Sequence, residues 1–209
     1  MKWEDLLGLL GGEAVFHSSV LFTGQESAAS VRRQLARWVI SGRILRLRRS
    51  FYALASPYRA AAVSPFSVAN RLKPASYVSL QSALAHYGLI PEYVPVVTCV
   101  TTGRPETLQT PLGTFSYRHV NRRLFFGYRA ADLGGGSSVF LAVPEKAILD
   151  LVHLTPRGDS PAYLGELRLQ NLDKLDPKQL VEFARRSGSA KLKRAGQRLA
   201  RLAGREPVR

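Results

Sequence analysis

Apolar residues at positions 3, 6, 7 and 10 keep the spacing of one helical face, and Gly11-Gly12 interrupts it, so residues 2–10 read as a first helix. His17-Ser18-Ser19 offers a cap ahead of Val20, Leu21 and Phe22, a short segment that Thr23-Gly24 ends. A longer helix follows at Ala28–Ile40 and stops at Ser41-Gly42. On a wheel of about 100° per residue, its Val31, Leu35, Trp38 and Val39 gather on one side, at roughly 0°, 40°, 340° and 80°. Arg32, Arg33 and Arg37 fall at roughly 100°, 200° and 240° on the same wheel. One face is core, the opposite face guanidinium, and Arg32 stands at the border.

The period then changes. Ile44-Leu45-Arg46-Leu47-Arg48 alternates apolar with basic, the signature of a strand; Arg49-Ser50 turns the chain and residues 51–55 return as a second strand. Residues 57–74, with Pro57, Pro65 and Pro74 among Ala and Ser, read as a linker holding a short helix at Pro65–Leu72. Ser79 is placed to N-cap a helix that turns Leu80, Ala83 and Leu84 inward and ends at Gly88. Strand-like runs occupy 96–102, 113–120, 124–128 and 138–143. Pro144 then opens a helix over 144–152 with Glu145 near its positive end. In the tail, Leu192, Ala195, Leu199 and Leu202 line one stripe of a basic amphipathic helix.

The fold class is therefore α+β. Short helix, turn, basic helix and basic hairpin come in the order of a winged helix-turn-helix, placed at 1–56. The linker at 57–74, a mixed α+β domain at 75–184 and a basic helix or tail at 185–209 complete the chain. In a winged helix-turn-helix the second helix of the motif enters the major groove, where Arg32, Arg33 and Arg37 would meet base edges and phosphates. Arg46, Arg48 and Arg49 of the hairpin would neutralise the adjacent backbone.

Charge sharpens this picture. Residues 1–26 sum to −3, 27–91 to +10, 92–184 to zero and 185–209 to +8, within a net charge of +15. From Ser27 to Pro91 there is no Asp or Glu at all. A solvated helix face usually mixes acids with bases, because i,i+4 pairs stabilise it and like charges repel. An all-Arg face without carboxylates calls for an external anion, and double-stranded DNA fits it best.

Composition excludes more than it assigns. The chain has 209 residues, 45% of them hydrophobic, enough for one large domain or two small ones and ordinary for a packed protein. The single Cys99 rules out a disulfide framework and a Cys-based zinc site. No apolar run approaches the roughly 20 residues of a membrane span. The first residues, with Glu4 and Asp5, make a poor secretion signal. A cytoplasmic protein without a membrane partner is expected.

No chemistry of catalysis is expected, and no cofactor or metal. Glu145, Lys146 and Asp150 lack the alternate-strand spacing that would converge carboxylates on Mg²⁺, and capping and dipole compensation account for them. His17, His86, His119 and His153 are dispersed. No Gly-x-Ser-x-Gly frame occurs, and Gly134-Gly135-Gly136-Ser137-Ser138 lacks the ending of a phosphate loop, reading instead as a flexible connection.

Four segments in order, RILRLRRSFYAL, YVSLQSALAHYGLI, TPLGTFSYRHV and VPEKAILDLVHL, resemble the AbiEi family of antitoxins, the transcription-regulator half of type IV toxin–antitoxin operons. The resemblance runs from about residue 30 to 155 and implies a winged-helix domain that represses its own operon by binding promoter repeats. It also implies a second domain that counters a nucleotidyltransferase-like toxin without a stable complex. Ser50 stands where that family more usually has Gly, and the region after Leu154 is short and strongly basic. The rival class is an RNA-binding module or a docking subunit of a nucleic-acid-processing enzyme.

Overall fold

Consecutive side chains of a strand point to opposite faces, and in the first sheet of this protein both faces are buried. The computed structural model describes residues 1–22, 27–59, 63–133 and 138–204. Helix α1 (Trp3–Leu10) leads to strand β1 (Val15–His17), a 3-10 turn at Ser18–Leu21 and helix α2 (Ala28–Ile40). Strands β2 (Ile44–Arg48) and β3 (Phe51–Leu54) close an antiparallel sheet in the order β1-β3-β2. Phe16, Ile44 and Leu54 point to one core with Leu6, Leu10, Leu21, Val31, Leu35 and Trp38. Val15, Leu47 and Ala53 point the other way, into the core of the rest of the chain, with Leu45 and Phe51 packed beside them.

That remainder is built on a six-stranded mixed sheet. Helix α3 (Pro65–Leu72), strand β4 (Ser76–Val78) and helix α4 (Leu80–His86) precede strands β5 (Val96–Thr101), β6 (Glu106–Thr110) and β7 (Gly113–His119). Strands β8 (Tyr128–Asp132) and β9 (Ser138–Ala142) follow, then helices α5 (Pro144–Leu154), α6 (Pro161–Glu166), α7 (Pro177–Arg186) and α8 (Ala190–Ala203). The strand order is β6-β7-β5-β4-β9-β8, with β5/β7 and β4/β9 parallel and the other neighbours antiparallel. The molecule is thus of mixed α+β class, as the periodicities predict.

Two expectations change, and one alternative is decided. The short helix expected at Pro65–Leu72 forms as α3, but it is no part of a loose linker: it buries Val68, Ala69 and Leu72 completely or nearly so, because its apolar residues at i, i+1 and i+4 face the sheet rather than solvent. No strand forms at 124–128. Instead the Asn121 side chain caps a 3-10 turn at Arg122–Leu124, Gly127 turns with φ 72°, and the strand starts at Tyr128. Of the two alternatives for 185–209, the helix forms over 190–203: α8 packs on α7 and α5, burying Leu192, Ala195 and Leu199, although Leu202 stays exposed.

The α7–α8 crossing depends on Gly196. A Cβ there would stand 2.6 Å from Ala184 Cβ and 3.2 Å from the Leu180 carbonyl oxygen. Ala is the better helix former by about 1 kcal/mol, but overpacking costs about 1–3 kcal/mol. Gly196→Ala is expected to lower the thermal unfolding midpoint, measured by circular dichroism, rather than raise it as in an open helix.

Candidate nucleic-acid interface

Helix α2 is set by its own sequence. The Ser27 hydroxyl accepts from the Ser30 amide at 3.2 Å, and Val31, Leu35 and Trp38 are buried at successive turns. The same periodicity leaves Arg32, Arg33 and Arg37 exposed, as the wheel predicts. Ser41 Oγ donates to the Trp38 carbonyl and closes the helix before β2 begins.

The hairpin is less regular than the alternation suggests. Arg46 pairs with Tyr52 but Arg48 with Phe51, so Leu47 is an extra residue, a bulge that bends the strand. Ser50 turns the chain in the left-handed region, φ 65°, which explains why a glycine suits this position. Arg46 and Arg49 are exposed. Arg48 is different: it reaches Glu106 on β6 at 3.8 Å and lies over the Phe51 ring at 4.7 Å.

The seven Arg of residues 28–54 thus separate. Arg43 lies 5.3 Å over Trp3 and Arg48 is held by Glu106. Arg32, Arg33, Arg37, Arg46 and Arg49 make no ion pair among the described residues. Of the acids in the first segment, Asp5 accepts from the Lys2 amide and Glu13 pairs with Arg71, while Glu26 lies outside the described residues. An open groove of about 740 Å³ between α2 and the hairpin brings Arg32, Arg46 and Arg49 together with Ala36, Val39, Ile40 and Tyr52. Arg33 and Arg37 do not line this groove and occupy the far side of α2. Of the six Arg singled out by sequence, five stand free of carboxylates among the described residues and Arg48 is withdrawn. Only the fold, by bringing β6 against the hairpin, could reveal that.

The tail charge separates in the same way. Lys191 Nζ donates to the His153 carbonyl at 3.1 Å and also to that of Thr155, at the C-terminal end of α5 where cations are favoured. Arg194 pairs with Asp159 at 2.8 Å, and Arg198 donates to the Asp159 carbonyl. Arg185, Arg186, Lys193 and Arg201 are exposed, Arg186 lying 4.1 Å over Phe126. Arg205 and Arg209 lie outside the described residues, as do residues 134–137 of the glycine-rich connection.

Glu145, Lys146 and Asp150 are not surface charges at a helix start, as dipole compensation would have them. All three are buried. Lys146 pairs with Asp150, whose Oδ2 accepts from Tyr77 Oη at 2.9 Å and Ser79 Oγ at 2.8 Å. The Ser79 hydroxyl is therefore spent on Asp150 and does not cap α4. Burial first, and the Asp150 carboxylate next, push the Tyr77 phenol far above its ordinary value, so it remains a donor. Glu145 Oε1 accepts from the Asp176 amide at 2.7 Å and so ties α5 to the start of α7. The cluster ties β4 and the start of α4 to α5, and among the described residues no buried side-chain nitrogen or oxygen lacks a partner. Among the described residues no group of His, Cys, Asp and Glu could hold a metal, and no helix is long and apolar enough to cross a membrane.

Removing one member of such a buried pair leaves the other charge uncompensated, at about 3–5 kcal/mol. Lys146→Met is expected to destabilise the fold by that amount in urea titration, and Lys146→Met with Asp150→Leu by less than either change alone. No family model matches the chain, and no curated protein matches it.

Proposed function

We propose that the chain is a sequence-specific, double-stranded-DNA-binding transcriptional repressor of the antitoxin type, acting without catalysis. The observation that carries the reading is the set of five guanidinium groups on α2 and the hairpin that have no carboxylate partner among the described residues. Like charges so grouped repel, and phosphates relieve that repulsion. The element order and the sheet order β1-β3-β2 support a winged helix-turn-helix, with α2 for the major groove and the β2–β3 hairpin as the wing. Arg32 with the hairpin residues Arg46 and Arg49 would hold one flank of the groove, and Arg33 with Arg37 the other.

The antitoxin half of the proposal rests on the family resemblance alone. A nucleotidyltransferase-like reading frame beside the gene supports it, and a ribosomal or RNA-processing neighbourhood counts against it.

Footprinting on the chain's own upstream region tests repression: protection of a repeated element at physiological salt is expected, and binding indifferent to sequence rejects the reading. The salt dependence then tests the residues. Replacing Arg32, Arg46 and Arg49 by Ala should flatten the slope of log K against log salt by about 0.9 for each phosphate no longer neutralised. Arg48→Ala should flatten that slope less than any of these three changes, since Arg48 is turned toward Glu106, which it shares with Lys73.

A further inference from the structure

We infer that, if the repressor reading on which this rests is right, the outer ridge of α2 reads thymine by its 5-methyl group, with Ile40 the principal contact and Ala36 beside it. Ile40 is 86% exposed, an unusual position for a large aliphatic side chain on a helix whose opposite face is fully packed. On the wheel that places Val31 at zero, Ala36, Ala29 and Ile40 fall at roughly 140°, 160° and 180°. All three are exposed. They form a narrow apolar ridge, with Arg32 on one side and Arg33 and Arg37 on the other.

Each feature of that ridge suits a base edge. The two alanines let the helix axis approach the floor of a groove, and the ridge itself offers no hydrogen-bonding side chain. Among the four base-pair orientations only those with thymine present a methyl group in the major groove. From Ala29 to Ile40 the helix rises about 16 Å, enough to pass along roughly five base pairs at 3.4 Å each. The flanking guanidiniums decide the occupant. A second copy of this face would bring its own cluster of cations against this one, whereas a duplex brings phosphates to both flanks.

The test uses the full chain and two duplexes of its own upstream region, one synthesised with dTTP and one with dUTP, which differ only in the 5-methyl groups. The wild-type chain is expected to bind the uracil duplex more weakly, by about fourfold for each methyl group that the ridge covers. Ile40→Ala should lose the larger part of that discrimination, binding the thymine duplex more weakly than wild type and the uracil duplex about as well. Its unfolding midpoint should stay unchanged, because the side chain is exposed. Equal wild-type affinity for the two duplexes overturns the thymine contact and leaves the repressor reading standing. A variant as sensitive to the methyl as wild type removes Ile40 from the contact. Failure to bind either duplex overturns the repressor reading as well.

Discussion

Everything at the candidate interface depends on a three-stranded sheet that is apolar on both faces. In β3, Tyr52 and Leu54 face the core under α2, while Phe51 and Ala53 face the larger core. Neighbouring strands follow the same division: Phe16 and Ile44 on one side, Val15 and Leu47 on the other. A free hairpin would have one wet face. This one is clamped between two cores, so α2 and the hairpin hold a fixed relation to the body of the protein. Leu47 follows Leu45 into the larger core by strand alternation, and the bulge there sets Arg48 rather than Leu47 opposite Phe51.

The clamp has an electrostatic consequence. Packing the hairpin on the body brings β2 beside β6, and Glu106 then serves both Arg48 and Lys73. One hairpin cation is consumed in holding the hairpin down. The remaining two, Arg46 and Arg49, stand toward α2, where Arg32 joins them across the groove.

Much of this is legible in the chain, for physical reasons that also mark the limit. The bounds of α2 and β2 are readable because amphipathic periods of 3.6 and 2 are strong there and Ser41-Gly42 separates them. The short strands β1, β4 and β6 are not, because three residues are too few to show a period in β1 and β4, and β6 carries a single apolar residue, Leu108. Residues 65–72 read as a helix within a spacer because Ala, Pro and Ser crowd the composition around them, while burial is decided by the sheet they cover. Lys146 and Asp150 look solvated because burial of a charge depends on a partner one turn away and on Tyr77 and Ser79, far earlier in the chain.

Net charge alone treats the two basic blocks as equals. Their partners separate them. In the tail, Lys191 and Arg198 complete carbonyls and Arg194 completes a carboxylate, so part of that charge holds helices together. On α2 and the hairpin, five guanidiniums find no carboxylate among the described residues, and they bracket an apolar ridge that folding leaves uncovered. A cation that satisfies its own fold has little left to offer a phosphate; a cation without such work is where a polyanion gains most. Arg185, Lys193 and Arg201 of the tail are exposed without an ion pair too, so it is the grouping of the five guanidiniums around one apolar ridge that makes the acid-free block the stronger candidate.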